Sequence, residues 1–151
     1  MNEPRTCVTF KSSAFNTTEA KDYFINLCCF GDDVAKWLIE ELKNRKIEVD
    51  NEPGQEDFGW YLTFFYNGTR YNFVLGWRPE DDENEGDWIG TIERAGVLAA
   101  VLGRKRRVER EVVSLIHDIL VSSPKARDIR WHFDKDFMTG NENGVAEPFT
   151  T

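Results

Sequence analysis

The sequence predicts an α+β domain: a mostly antiparallel sheet containing a three-strand meander, with two or three helices packed on one face. Three observations predict it. Two aromatic-rich runs flank Asn67-Gly68, a strong short-range hairpin signal. Two stretches, Asp33–Lys46 and Val108–Val121, repeat apolar residues at helical spacing. Short runs near both ends of the chain alternate as strands do. The 151 residues, 40% hydrophobic and 13% aromatic, suit one domain with a real core. Residues 1–138 are read as that domain, and 139–151, rich in Asn, Gly and Glu, as a disordered tail.

Cys7-Val8-Thr9-Phe10 reads as a first strand with Val8 and Phe10 on one face. Asn16-Thr17-Thr18-Glu19 fits a capping box, with Ala20, Tyr23, Phe24, Leu27 and Cys28 as the apolar stripe of a helix; Phe24 to Gly31 fits an ordered loop equally well. The next helix is capped by Asp32 or Asp33. Val34, Leu38 and Leu42 form its stripe, and Lys36, Glu40, Lys43 and Asn44 face water. It ends before the turn-rich Asn51-Glu52-Pro53-Gly54.

Placing Asn67-Gly68 in a type I′ turn fixes the hairpin register. Tyr66 meets Thr69, Phe64 meets Tyr71, Leu62 meets Phe73, Trp60 meets Leu75 and Phe58 meets Trp77. Behind the turn, these pairs make an apolar face. The other face pairs Phe65 with Arg70, Thr63 with Asn72, and Tyr61 with Val74. A one-residue slip would mix the two faces, so the pattern selects this pairing. After an acidic loop, Asp87 to Ile92 reads as the third meander strand. Val97 to Leu102 is apolar and undefined. A helix follows with Val108, Val112, Leu115, Ile116 and Ile119 on one face. Pro124 ends it, and Ile129, Trp131 and Phe133 alternate as a last strand.

Charge excludes some classes of partner. The formal net charge is −8, which disfavours generic binding to nucleic acid or anionic lipid. No stretch approaches the ~20 apolar residues of a membrane span. Met1 to Arg5 has no apolar run behind it, so no secretory signal is expected. Charge is also uneven. Glu48 to Glu93 holds twelve acidic residues against Arg70 and Arg78, whereas Arg94 to Trp131 holds nine basic residues and four acidic ones. Cys7, Cys28 and Cys29 make an odd, partly adjacent set, which suits small buried residues in a reducing, cytoplasmic compartment better than a disulfide framework.

The catalytic inventory is thin, and the sequence leans towards binding rather than catalysis. His117 and His132 are the only histidines, and periodicity places both towards water. There is no H-E-x-x-H, no G-x-S-x-G and no phosphate-cradling glycine loop. The acidic loop Asp81, Asp82, Glu83, Glu85 and Asp87 fails as a calcium loop, because aligning Gly86 with the loop glycine puts Ile92 where a bidentate carboxylate is required. No metal and no cofactor is therefore expected. Arg104-Lys105-Arg106-Arg107 with Arg110 is a basic cluster, read as a helix start paired with nearby acids. Glu56, Asp57, Trp60, Trp77, Arg78 and Trp88 converge on one end of the hairpin. Aromatic rings beside carboxylates and an arginine suit recognition, or a core end with a surface ion pair.

The blocks Gly31-Asp32-Asp33-Val34-Ala35-Lys36-Trp37-Leu38 and Gln55-Glu56-Asp57-Phe58-Gly59-Trp60-Tyr61-Leu62 resemble small uncharacterised bacterial proteins of similar length, in which such a helix start precedes an E-D-x-G-W hairpin. The resemblance spans about residues 25–133 and implies a bacterial cytosolic setting. It carries across no activity, cofactor or catalytic residue. Two functions are expected from the residues: a non-enzymatic protein whose acidic, aromatic-edged surface engages a basic protein, as immunity and adaptor proteins do, or a pocket protein or enzyme with Glu56, Asp57, Arg78 and the tryptophans lining a cleft.

Overall fold

Among the described residues, seven strands form a single sheet with every pairing antiparallel, and two long helices bury their apolar stripes against it. The structure, a computed structural model, describes residues 4–24, 30–79, 81, 86–95 and 107–149. The elements in chain order are β1 (Cys7–Lys11), α1 (Asp32–Asn44), β2 (Glu48–Val49), β3 (Gly54–Glu56), β4 (Gly59–Tyr66), β5 (Thr69–Arg78), β6 (Asp87–Arg94), α2 (Arg110–Val121), β7 (Arg127–His132) and α3 (Asp134–Met138). The sheet order is β2-β4-β5-β6-β1-β7, with β3 also pairing with β4. The fold is the α+β arrangement expected from the sequence.

The meander register is the expected one. Tyr66 pairs with Thr69, Phe64 with Tyr71, Leu62 with Phe73 and Trp60 with Leu75. Asn67 and Gly68 both have positive φ, at 50° and 77°, as a type I′ turn demands. β6 continues the meander, with Phe73 opposite Ile92 and Trp77 opposite Trp88. β1 then inserts between β6 and β7, putting Phe10 beside Trp88 and Val8 beside Trp131. Of these paired side chains, Tyr66 and Trp77 are partly buried against the core, Thr69 lies outside it, and the rest are core. α1 closes the core with Val34, Ala35, Leu38, Ile39 and Leu42, and α2 with Val112, Val113, Ile116, Ile119 and Leu120.

Four local expectations are corrected. Phe58 does not pair with Trp77. Asp57-Phe58 is a turn that folds β3 back onto β4, pairing Glu56 with Gly59, so Phe58 is 54% exposed. Among residues 16–24 no helix follows the capping box. Asn16 Oδ1 does accept the Thr18 and Glu19 N–H groups, but the chain leaves in bends, an Asx turn without a helix. Leu27 and Cys28 of that stripe, and Val97 to Leu102, lie outside the described residues. Neither Asp32 nor Asp33 caps α1. Gly31 holds the N-cap position, while Asp32 accepts the Tyr23 hydroxyl and Asp33 accepts the Asn16 N–H at 2.7 Å.

The fourth correction is the C-terminus. Residues 139–149 are placed against the fold by contacts that a local reading of the sequence does not show. Val145 forms a bridge with Trp131, the Arg5 N–H donates to the Pro148 carbonyl at 2.8 Å, and Phe149 packs on the core. The pairing at Val145 occupies part of the edge that β7 would otherwise expose.

Truncating a core member of this register should be severe. Leu62→Ala or Phe73→Ala is expected to cost about 2–5 kcal/mol in urea unfolding. Thr63→Ala loses one half-buried hydrogen bond to Asn72 Oδ1 and should cost only about 0.5–1.5 kcal/mol. Equal costs would show that the two faces are not segregated. Gly68→Val should also destabilise the chain, since a β-branched residue resists positive φ.

Candidate functional site

Residues directly opposite one another in an antiparallel sheet share a face, so the ladder pairs sort the expected site residues. Trp60, Trp77 and Trp88 point to the helix side. Trp60 is 3% exposed and Trp88 0%, and the Trp77 and Trp88 rings lie 4.7 Å apart. Phe24 packs edge-on against Trp60, and Phe15 against Trp88. These rings fill the space between hairpin and helix. Glu56, Arg78 and Asp87 belong to the opposite face, and Asp57 to the β3–β4 turn. The expected constellation is therefore split by the sheet, because alternation separates each tryptophan from its charged neighbour. Asp81 is exposed. Asp82, Glu83 and Glu85 lie outside the described residues, as do Arg104, Lys105 and Arg106. Arg107 is exposed, and the Arg110 guanidinium lies over the Phe149 ring at 4.0 Å.

What the opposite face does collect is ordered in rows across the strands. Arg78, Asp87 and Lys11 form one row. Asp87 accepts from Lys11 Nζ at 2.7 Å and from Arg78 at 2.8 Å, and Arg78 reaches Glu142 of the C-terminal segment at 2.7 Å. Burial alone would raise the Asp87 carboxyl, but its two cationic partners prevail and hold it below the usual carboxylate range. The next row carries Gly76, Ile89, Thr9 and Arg130; those after it carry Tyr61, Val74, Thr91, Cys7 and His132; then Thr63, Asn72 and Glu93; then Glu48, Phe65 and Arg70.

The two halves of this face differ. Over β1 and β7 it is closed. Cys7, Thr9 and His132 are buried there, and burial pushes the Cys7 thiol up to about 12, so it is inert as a nucleophile. Over β4 and β5 it is open. Tyr61, Thr63, Phe65, Asn72 and Val74 are half-exposed, and Glu48, Glu56, Arg70 and Glu93 are exposed. Asp50, Glu52 and Asp57 stand exposed along the β2–β3 side of β4. Four carboxylates at Glu48, Asp50, Glu56 and Glu93 thus ring an aromatic patch that holds one arginine. None of Tyr61, Phe65 or Val74 was singled out as a site residue, although the alternation that buries Trp60 and Leu62 turns them outward.

Both histidines depart from the expected solvated positions. His117 Nδ1 accepts the Trp131 indole N–H at 3.0 Å, which leaves its proton on Nε2, 3.6 Å from Glu147. His132 is 3% exposed. Its Nε2 pairs with Thr9 Oγ1 at 2.9 Å, the Phe137 ring packs against it edge-on, and Nδ1 has no partner. It was expected outside because alternation puts it opposite Trp131; it does lie there, under the C-terminal segment. Among the described residues no group of three or more His, Cys, Asp or Glu is placed to hold a metal. No described helix is long and apolar enough to cross a membrane.

No protein-family model, curated protein or solved structure matches the chain, so the functional reading rests on this geometry.

Burial, outweighing the pull of Glu142, holds the His132 imidazole below its ordinary 6.5, with Arg130 and Arg78 adding to the effect. The unfolded chain therefore takes up a proton near pH 6.5 that the folded chain resists. The stability that neutral His132 contributes is complete above that pH and is lost as the pH falls through the folded value. Urea titrations from pH 7.5 to 5 should show this decline, with a His132 share of at most ~1.4 kcal/mol per pH unit. His132→Gln should flatten it. An unchanged slope would assign the decline to other groups.

Proposed function

We propose that the chain is a non-enzymatic binding protein that engages a basic protein partner through the open face of β4 and β5. The observation behind this reading is the apolar patch of Tyr61, Phe65 and Val74, half-exposed and edged by Glu48, Asp50, Glu56 and Glu93. Aromatic side chains at the centre of a surface and charges at its rim are the usual anatomy of a protein interface. The rim supplies long-range attraction for a basic partner and sets the association rate, and the patch supplies apolar burial. The acidic excess from Glu48 to Glu93 supports the same sign of partner. An immunity-like or adaptor-like role in a bacterial cytoplasm fits this chemistry and the odd cysteine count.

A tagged chain incubated at low salt with a lysate of its own organism should retain a protein of basic charge, and release it as salt rises. Glu48→Lys with Glu93→Lys should weaken capture at least tenfold, mostly by slowing association. Phe65→Ser should weaken it by speeding dissociation. Retention of the same proteins by wild type and both variants, or of no basic protein at all, would sink this reading.

A further inference from the structure

We infer that His132 is a pH-sensitive latch on the C-terminal segment: when its imidazole takes up a proton, residues 139–147 lift from the outer face of β1 and β7 while the meander stays folded. The imidazole fits its site only as the neutral ring. Its Nε2 pairs with Thr9 Oγ1 at 2.9 Å, and its Nδ1 is buried without a partner. Gly144 lies against the ring. A Cβ there would sit 2.5 Å from Cε1 and 2.8 Å from Nδ1. Thr9 serves either tautomer of the neutral ring, because a hydroxyl both donates and accepts. The imidazolium carries an N–H on both nitrogens, so the one on Nδ1 then lies under Gly144 with no acceptor. A buried charge that lacks a hydrogen bond costs far more than a buried neutral group. Proton and closed segment therefore compete.

Charged groups surround the ring. Asp136 of α3 lines the cavity beside it, Asp134 faces its ladder partner Cys7, and Glu142 and Asp87 add further negative charge; all four favour the cation. Arg130, Arg78 and Arg5 oppose it. Burial outweighs the carboxylates and keeps the ring neutral. The closed segment is thus fully favoured above the ordinary histidine value of 6.5, and progressively less as the pH falls towards the lower folded value. Between pH 7.5 and 5.5 histidine is the side chain that ordinarily changes charge. His117 also touches the segment, with Nε2 3.6 Å from Glu147, and serves as the control.

The segment is held lightly enough to move alone. None of residues 139–147 is buried. Val145 bridges Trp131 yet is 43% exposed, and Glu142 meets Arg78 at 2.7 Å in an exposed ion pair of the kind that adds little stability. A cavity of about 210 Å³ lies between the segment and the end of β7, so little apolar contact fastens it there. Segments with few buried contacts open at lower free energy than the whole domain. Lifting uncovers Cys7, Thr9 and His132 and frees the Trp131 backbone at the edge of β7. The outward side of the sheet then lies open from β4 to β7.

The test is hydrogen exchange of single amides in the full-length chain, followed by NMR at pH 7.5 and 5.5 and corrected for the intrinsic rate at each pH. The Val145 and Trp131 amides, each bonded to the other's carbonyl, report the segment, and Phe73 in the central β5 reports the meander. Protection of Val145 and Trp131 should fall about three- to tenfold over this range, and stay well below that of Phe73 at both pH values. His132→Gln should abolish the fall, and His117→Gln should leave it. Gly144→Ala, whose methyl group meets the ring at a φ of +41°, should lift the segment already at pH 7.5. Val145 then loses protection while Phe73 keeps it, a split that misfolding cannot imitate. Equal protection at Val145 and Phe73 would make the opening global and overturn the latch. So would protection at Val145 that does not fall with pH, a fall that survives His132→Gln or vanishes in His117→Gln, or a Gly144→Ala chain that keeps Val145 protected.

Discussion

A slip of one residue in the pairing of β4 with β5 would turn this protein inside out. Either Trp60, Leu62 and Phe64 would trade places with Tyr61, Thr63 and Phe65, or the core would have to accept Arg70 and Asn72. Two things prevent it. Asn67-Gly68 takes the two positive φ values of a tight turn, and the run of large apolar side chains at every second position can be buried only one way. The rest of the sheet is referenced to that register. β6 pairs against β5, β1 pairs against β6, and β7 pairs against β1, so the inward rows end at Trp131 and the outward rows at His132.

The outward rows divide into two regions because the chain's last residues reach only half of them. α3 and the segment after it lie over β7 and β1, where Phe137 and Gly144 press on His132. Glu142 pins the segment at Arg78, which is the outer end of β5. Beyond that point β4 and the rest of β5 keep their aromatic and carboxylate side chains at the surface. The outward side of one sheet thus carries a covered polar half and an open acidic half.

Much of this was legible in the sequence where the signal was local. The hairpin, both long helices and the outer strands follow from spacing that needs no knowledge of distant residues. Errors arose where a distant segment decided the outcome. His132 alternates outward as expected, but Phe137 and Gly144, five and twelve positions later in the chain, bury it. The capping-box pattern at Asn16 is real as a turn, yet Asp33 takes the Asn16 N–H and the chain leaves in bends. Phe58 continued the apolar alternation on paper, while Asp57-Phe58 made the tighter turn. Glu56, Asp57 and Arg78 were expected together near one end of the hairpin. Their grouping with Trp60, Trp77 and Trp88 failed because closeness along a strand does not mean a shared face. The outward partners Tyr61, Phe65 and Val74 were visible in the same pattern, but only the fold distinguishes an open half from a covered one.

The central claim is that the outward half of β4 and β5 is a docking surface. It is tested most directly by following the side-chain signals of Tyr61, Phe65 and Val74 as a purified basic partner is added. The account predicts that these three and the Glu48 and Glu93 carboxylates shift or broaden together, while Leu62, Phe73 and Leu75 on the inward face hold still. Perturbations that instead gather on α2, or that spread evenly over the surface, would contradict it.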